Sequence, residues 1–216
     1  MNEAEFLTAA PVPGPAYRIV TRRLVLRCWA PEDAPAFKAA IDASREHLAP
    51  WMSWARGEPA DLQATIALIR AWRGKFDLGQ DFVYGIFSRD ERQVIGSTGL
   101  HTRVGSDARE IGYWIHVNHI GYGYATEAAA ALTRAGFEID HVQRIDIRVA
   151  VGNERSANVP RKLAYTREAT LRRRDPAPGG ALRDMMLWTM LADEYPGSPA
   201  ASADIEAYDA AGRRIL

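Results

Sequence analysis

Two spacings of apolar residues alternate along this chain, and the switches between them outline its elements. Tyr17 to Trp29, with the run Leu24-Val-Leu-Arg-Cys-Trp, predicts a first strand. Pro31-Glu-Asp33 opens a helix that uses Phe37, Ala40 and Ile41. The aromatic stretch His47 to Trp54 follows as a loop, and a second helix runs from about Asp61, a candidate N-cap, through Ile66, Ile69 and Trp72. Phe82–Phe87 and Val94–His101 predict antiparallel strands joined by the charged turn Ser88 to Arg92. Ile111, Tyr113, Ile115 and Val117 then alternate with Gly112, Trp114, His116 and Asn118, which suits a strand over 110–118. Gly121 and Gly123 punctuate it. The alanine-rich segment from Ala125 to about residue 139 reads as a helix packed through Ala128, Leu132, Ala135 and Gly136. Arg144–Val151 predicts another strand, 157–163 a short helix, and Thr166–Arg173 with Asp184–Leu191 a closing hairpin. Residues 1–16, with Pro11, Pro13, Gly14 and Pro15, read as a flexible arm. Residues 17–196 read as one domain, and 197–216 as a tail or a helix docked by Ile205 and Tyr208.

Composition mostly excludes. Lysine plus arginine balances aspartate plus glutamate at 27 each, so no global charge argues for nucleic acid or an anionic membrane. Apolar runs fall short of the roughly 20 residues a membrane span needs. Met1 to Pro15 carries Glu3 and Glu5 and lacks the pattern of a secretory signal. Cys28 is the sole cysteine, which fits a reducing cytoplasm, and no Cys/His cluster suggests a metal.

The distinctive chemistry lies at the strand–loop–helix joint from Glu110 to Glu127. A glycine-bearing loop that leads into a helix aims free backbone N–H groups and the positive end of the helix dipole at one point, which suits a phosphate or pyrophosphate. No Gly-Lys-Ser/Thr is present, and Gly121-x-Gly123 lacks the third glycine of the dinucleotide fingerprint. The run Ile120-Gly121-Tyr122-Gly123-Tyr124-Ala125 resembles the acetyl-coenzyme A loop of the GNAT acetyltransferases, Gln/Arg-x-x-Gly-x-Gly/Ala, with Ile120 in place of the polar first residue. Downstream, Asn153-x-x-Ser156-x-x-Val159-x-x-Lys162-Leu163-Ala164-Tyr165 resembles a second block of that family, Ala164 standing where glycine is usual. Leu48-Ala-Pro-Trp51 and Ile95-Gly-Ser-Thr-Gly-Leu100 are similar to the RimJ/RimL branch, which acetylates ribosomal protein N-termini. The predicted order of elements is also that of this family.

The resemblance implies an α+β fold with α/β/α layering, whose mostly antiparallel sheet splays one strand pair to bind coenzyme A. It implies acetyl-CoA as cosubstrate, no metal, and direct attack by an amine, so Cys28 is expected to pack rather than react. By the same resemblance, Ile115, His116 and Val117 border the pantetheine arm, with the backbone of Ile115 and Val117 pairing with it as an added strand would. Gly121, Tyr122, Gly123, Tyr124, Ala125 and Thr126 hold the pyrophosphate, and Asn153 contacts the arm. Thr126 and Asn153 would serve equally as caps. Glu110 is the expected general base, although an exposed carboxylate paired with Arg109 or with a neighbouring strand is an equal reading. The tyrosine that many members use as the acid is replaced by Pro160. Ser156 is expected near the sulfur, or as an N-cap. Trp51, Trp54, Tyr84 and His101 are expected on the acceptor side. The expected acceptor is a protein N-terminal α-amine. The alternatives are a small-molecule amine or an acyl-CoA-binding module without catalysis, and a homodimer is possible in this branch.

Overall fold

The computed structural model describes residues 15–57 and 60–216, so residues 1–14 of the expected arm lie outside the described part. Ala16 belongs to the core instead: it is buried, and its carbonyl accepts a 2.8 Å hydrogen bond from the Tyr84 hydroxyl. The first predicted strand folds as a hairpin, β1 (Arg18–Thr21) and β2 (Leu24–Cys28). Thr21 makes the turn, its Oγ1 accepting from the Leu24 N–H at 3.0 Å.

Two helices follow, α1 (Ala34–Leu48) and α2 (Leu62–Asp77). Asp61 caps α2 as expected, its carboxylate accepting from the Ala64 N–H at 2.7 Å. Then come β3 (Phe82–Ser88), β4 (Val94–His101), β5 (Ala108–Ile115), α3 (Tyr124–Glu138), β6 (Arg144–Ala150), α4 (Glu154–Lys162) and the hairpin β7 (Thr166–Pro176) with β8 (Leu182–Leu191). The expected tail contains a strand, β9 (Ile205–Tyr208), and neither dangles nor forms a helix there. It pairs antiparallel with β1, with Ile205 and Ala207 buried. Pairing covers the open backbone edge that β1 would otherwise present.

The strands form one sheet in the order β7-β8-β6-β5-β4-β3-β2-β1-β9. Every neighbouring pair is antiparallel except β5 and β6. Strict alternation sends side chains to two hydrophobic clusters. Leu24, Leu26, Ile111, Ile115, Ile145 and Ile147 join Ala128 and Leu132 of α3. Val25, Trp29, Val83 and Trp114 join Phe37 of α1 and Ile69 of α2. The sheet is thus a middle layer, with α3 and α4 on one face and most of α1 and α2 on the other. Burying one such leucine or isoleucine contributes about 1.5–3 kcal/mol. α3 lies close on the sheet at Gly136, where a Cβ would come within 2.7 Å of Ile145 Cδ1.

What positions the site is a failure of pairing. β5 and β6 run parallel only from Ala108–Glu110 against Arg144–Asp146. Beyond those residues both strands continue without each other, and a gap opens in mid-sheet. The His116 N–H donates to the Ile95 carbonyl at 2.8 Å. By alternation, the polar backbone groups of Ile115 and Tyr113 point the other way, into the gap.

Candidate active site

The N-terminus of α3 sits at the mouth of this gap. Gly121 and Gly123 both adopt left-handed backbone, with φ of 86° and 81°. That conformation turns the chain sharply from the loop into the helix. Gly123 is the N-cap and has no side chain to offer, so none caps this end of α3. The first helical bond is Glu127 N–H to the Gly123 carbonyl, which leaves the N–H groups of Tyr124, Ala125 and Thr126 without helical acceptors. Thr126 is therefore not the cap. A helix start built this way attracts an anion.

The loop is braced from β1–β2. The Arg23 guanidinium donates to the Tyr122 carbonyl at 2.9 Å and lies 4.7 Å from the Tyr124 ring centroid. Glu127, in the first turn of α3, accepts from Arg23 Nε and Thr21 Oγ1, both at 2.6 Å. This brace spans about a hundred residues of sequence and was not expected from it.

A cavity of about 800 Å³ runs from the loop through the gap. Of the expected cofactor residues, Ile115, Gly121, Gly123, Tyr124, Ala125, Thr126, Asn153 and Ser156 line it. Arg155 and Lys162 of α4 line the same space, and so does His119. At its far end stand Trp51, Met52 and Trp114, on the α1/α2 face. Asn153 caps α4, its Oδ1 accepting from the Ser156 N–H at 3.1 Å, while also bordering the cavity. Ser156, placed in the first turn, is not the cap. Its carbonyl accepts from the Tyr113 hydroxyl at 3.0 Å, and its Oγ donates to the same hydroxyl at 3.3 Å. Burial pushes the Tyr113 hydroxyl pKa well above its ordinary value, so it stays protonated at neutral pH. Tyr113 faces α3 with Ile111 and Ile115, and that shared parity was the signal in the sequence that would have found it.

Several expected positions lie elsewhere. The strand predicted to reach Asn118 stops at Ile115, and Val117–His119 form a 3-10 turn. The Val117 N–H donates to Ser44 Oγ at 3.1 Å, so it is not free to pair with an extended arm. The His116 N–H is likewise taken by Ile95, and His116 does not line the cavity. Burial lowers the His116 pKa, with the nearby His119 adding to the effect. The Tyr122 side chain is exposed and stacks on Tyr124, and only its backbone joins the loop. Tyr84 is 1% exposed, deep in the core with Phe76 and tied to Ala16, so it cannot meet an acceptor. Trp54 is outside the cavity and packs edge-on against Trp114.

Glu110 and His101 are cross-strand partners on the α1/α2 face, outside the cavity lining. The Glu110 carboxylate is buried. Arg103 donates to its Oε1, and Arg148 Nε lies 3.4 Å from Oε2. The second contact is an ion pair by distance without hydrogen-bond alignment, because Oε2 has no hydrogen-bond partner among the described residues. Arg109 reaches Asp140 instead, and the expected pairing with a neighbouring strand comes from Arg148 of β6, with the carboxylate buried and not exposed.

The aromatic loop at Trp51 is tied to the last hairpin. Arg183 of β8 donates to the Pro50 carbonyl at 2.6 Å and to the Trp51 carbonyl, and Arg56 donates to the Pro176 carbonyl at 2.8 Å. The β7–β8 hairpin is thereby latched to the aromatic loop. Among the described residues there is no helix long and apolar enough to cross a membrane, and no cluster of metal-ligating side chains.

Comparison with known proteins agrees with this geometry. The family model for the GNAT acetyltransferase domain matches residues 23–166. The chain is 27% identical over 181 residues to YdaF of Bacillus subtilis, provisionally named a ribosomal N-acetyltransferase, and covers 96% of it with 82% of itself. It is 29% identical over 160 residues to the [ribosomal protein uS5]-alanine N-acetyltransferase of Escherichia coli, spanning 71% of this chain and 80% of that one. Among solved structures, RimJ of Mycobacterium smegmatis, in complex with a CoA disulfide, superposes with a TM-score of 0.73 at 24% identity, over 88% of this chain and 92% of that one.

Proposed function

The chain belongs to the GNAT acetyltransferase family and is an acetyl-CoA-dependent acyltransferase, and from that premise we propose that its acceptor is a protein N-terminal α-amine. The observation that carries the cofactor assignment is the uncapped start of α3, opening on a cavity that crosses the split between β5 and β6. The N–H groups of Tyr124, Ala125 and Thr126 take the pyrophosphate, with Arg155 and Lys162 supplying positive charge. The backbone of Tyr113 and Ile115 pairs with the pantetheine arm, in place of Val117. Asn153 and Ser156 flank its thiol end. Acetyl-CoA supplies an activated thioester, and the amine displaces its sulfur. Ser156 Oγ, which here donates to the Tyr113 hydroxyl, turns its proton to the departing thiolate, while the Tyr113 proton stays on the Ser156 carbonyl.

Support for the acceptor comes from the names of the ribosomal-protein-acetylating relatives and from proton arithmetic. An α-amine with pKa near 7.7–8.0 is roughly 10–20% neutral at pH 7, whereas a lysine near 10.4 is neutral less than about 0.1% of the time, a difference on the order of 3.5 kcal/mol. That difference makes the α-amine the easier acceptor. The test is thiol release from acetyl-CoA with free-terminus peptides, the same peptides with blocked termini, polyamines and aminoglycosides. Turnover confined to free-terminus peptides supports the reading. Turnover on small amines alone overturns it.

A further inference from the structure

Beside Glu110, on the α1/α2 face, the structure holds a histidine built like an oriented base. His101, the last residue of β4, directs its Nδ1 at the Asp81 carboxylate, 2.9 Å from Oδ1 and 3.1 Å from Oδ2. An imidazole bonded to a carboxylate through Nδ1–H keeps its lone pair on Nε2, in the tautomer that accepts a proton. Nε2 has no hydrogen-bond partner among the described residues, and the side chain is 17% exposed.

The ring lies back along the sheet over two glycines. A Cβ at Gly99 would stand 2.4 Å from Nε2, and one at Gly112 would stand 3.6 Å from it. Only a bare backbone on both strands lets the imidazole occupy that place. Gly112 lies two residues past Glu110, where β5 has just lost β6. Its neighbour on the same face, Trp114, lines the cavity. Nε2 therefore lies on the sheet face that leads to Trp114, one residue of that face short of the cavity lining. Glu110, by contrast, has a guanidinium at each oxygen.

We propose that His101, held by Asp81, takes the proton from the acceptor amine through water, and that Glu110 positions the surrounding charges. This assignment rests on the amine-acetylating function above. In the step, the nitrogen lone pair forms the C–N bond and the C–S bond breaks with its electron pair on sulfur. One proton passes from nitrogen to Nε2, and the thiolate is protonated after release. Charged groups facing the imidazole are Asp81 at Nδ1 and Glu110 across the strand pair, with Arg103 and Arg148 behind Glu110. Burial pushes the Asp81 carboxyl up, but its hydrogen bond to His101 and the charges of His101 and Arg103 outweigh that and leave it below its ordinary value.

The experiment compares wild type, His101→Ala, His101→Gln, Asp81→Asn, Gly99→Ala and Glu110→Gln. It uses acetyl-CoA and a free-α-amine peptide, with kcat and KM followed from pH 6 to 9.5 and CoA affinity measured by calorimetry. Wild-type turnover tests the function itself, and the variant-to-wild-type ratios test the assignment. His101→Ala is expected to lose about 10²-fold in kcat with acetyl-CoA KM and CoA affinity unchanged. In its pH profile only the amine's own ionisation, at about 7.7–8.0, should remain as the acid limb. Added imidazole should restore part of the His101→Ala rate and none of the His101→Gln rate. Gly99→Ala, which displaces the ring without removing it, should change the profile in the same way. An unchanged pH limb and kcat in His101→Ala, with both lost in Glu110→Gln, would overturn the proposal.

Discussion

Ala164 permits a prediction whose sign alone is decisive. It follows α4 with φ of +63°, a left-handed backbone that its side chain resists. The helix end leaves it no choice. The Tyr165 N–H donates to the Pro160 carbonyl at 3.0 Å, and the Ala164 N–H donates to the Arg161 carbonyl at 3.3 Å. This paired closure requires a left-handed residue between the two bonds, the place where glycine is usual. A residue with a Cβ gives up roughly 1–2 kcal/mol there. Ala164→Gly recovers that cost but gives back roughly 0.4–1 kcal/mol through the looser unfolded chain. The side chain is exposed, so no packing is lost. The balance is a stabilisation of about 0.5–1 kcal/mol, or a Tm raised by about 1–4 °C in a chain of this length. Calorimetry and urea unfolding of Ala164→Gly against wild type measure it. A lower Tm, the ordinary result of placing glycine at a relaxed position, would refute the reasoning.

Four further outcomes follow from the geometry. Ser156→Ala should lower kcat by about tenfold, one net hydrogen bond to developing charge, while leaving CoA affinity near wild type by calorimetry. Arg183→Ala cuts the latch between the hairpin and the Pro50–Trp51 carbonyls, so steady-state kinetics should show a raised acceptor KM with the acetyl-CoA KM unchanged. Arg23→Ala frees the glycine loop from its brace, and the acetyl-CoA KM should rise instead. The Glu91 carboxyl is held below its ordinary value first by a hydrogen bond from Arg18, with burial opposing and Arg27 adding to the effect. A lowered carboxyl pKa contributes stability that is full above about 4.5 and is lost as pH falls through the lower folded value. Glu91→Gln should therefore lower the unfolding free energy slightly at pH 7, by no more than about 1 kcal/mol for partly exposed pairs, with the difference from wild type, read by urea unfolding, fading in acid.

Local pattern disclosed most of the layout, and the exceptions share one cause. Ile111, Tyr113 and Ile115 alternate within a strand and a neighbouring helix completes the cluster, so their role was readable from a dozen residues. Asp61 was likewise readable, because a cap bonds three residues ahead. Val117 continues the alternation perfectly, yet Ser44, seventy-three residues earlier, takes its N–H, and the strand ends at Ile115. Tyr84 has the composition of a site aromatic, and only the placement of Ala16 over its hydroxyl makes it core. β9 is four residues long in an Ala- and Ser-rich segment and forms because β1 offers an edge almost two hundred residues away. The Asp81–His101 pair, the Arg23 brace and the Arg183 latch are all tertiary contacts of short-lived sequence signal. The left-handed turn at Gly121 and Gly123 was legible because it is a backbone property, whereas the partners of Glu110 and His101 depend on which side chains the sheet brings face to face.

The measurement that bears most directly on the central claim uses a single peptide carrying both a free α-amine and an internal lysine. After incubation with the protein and acetyl-CoA, fragment-ion mass spectrometry locates the acetyl group. The expected result is one acetyl group on the N-terminal nitrogen and an unmodified lysine. Acetylation of the lysine Nζ, or an untouched peptide beside an acetylated polyamine in the same mixture, would contradict it.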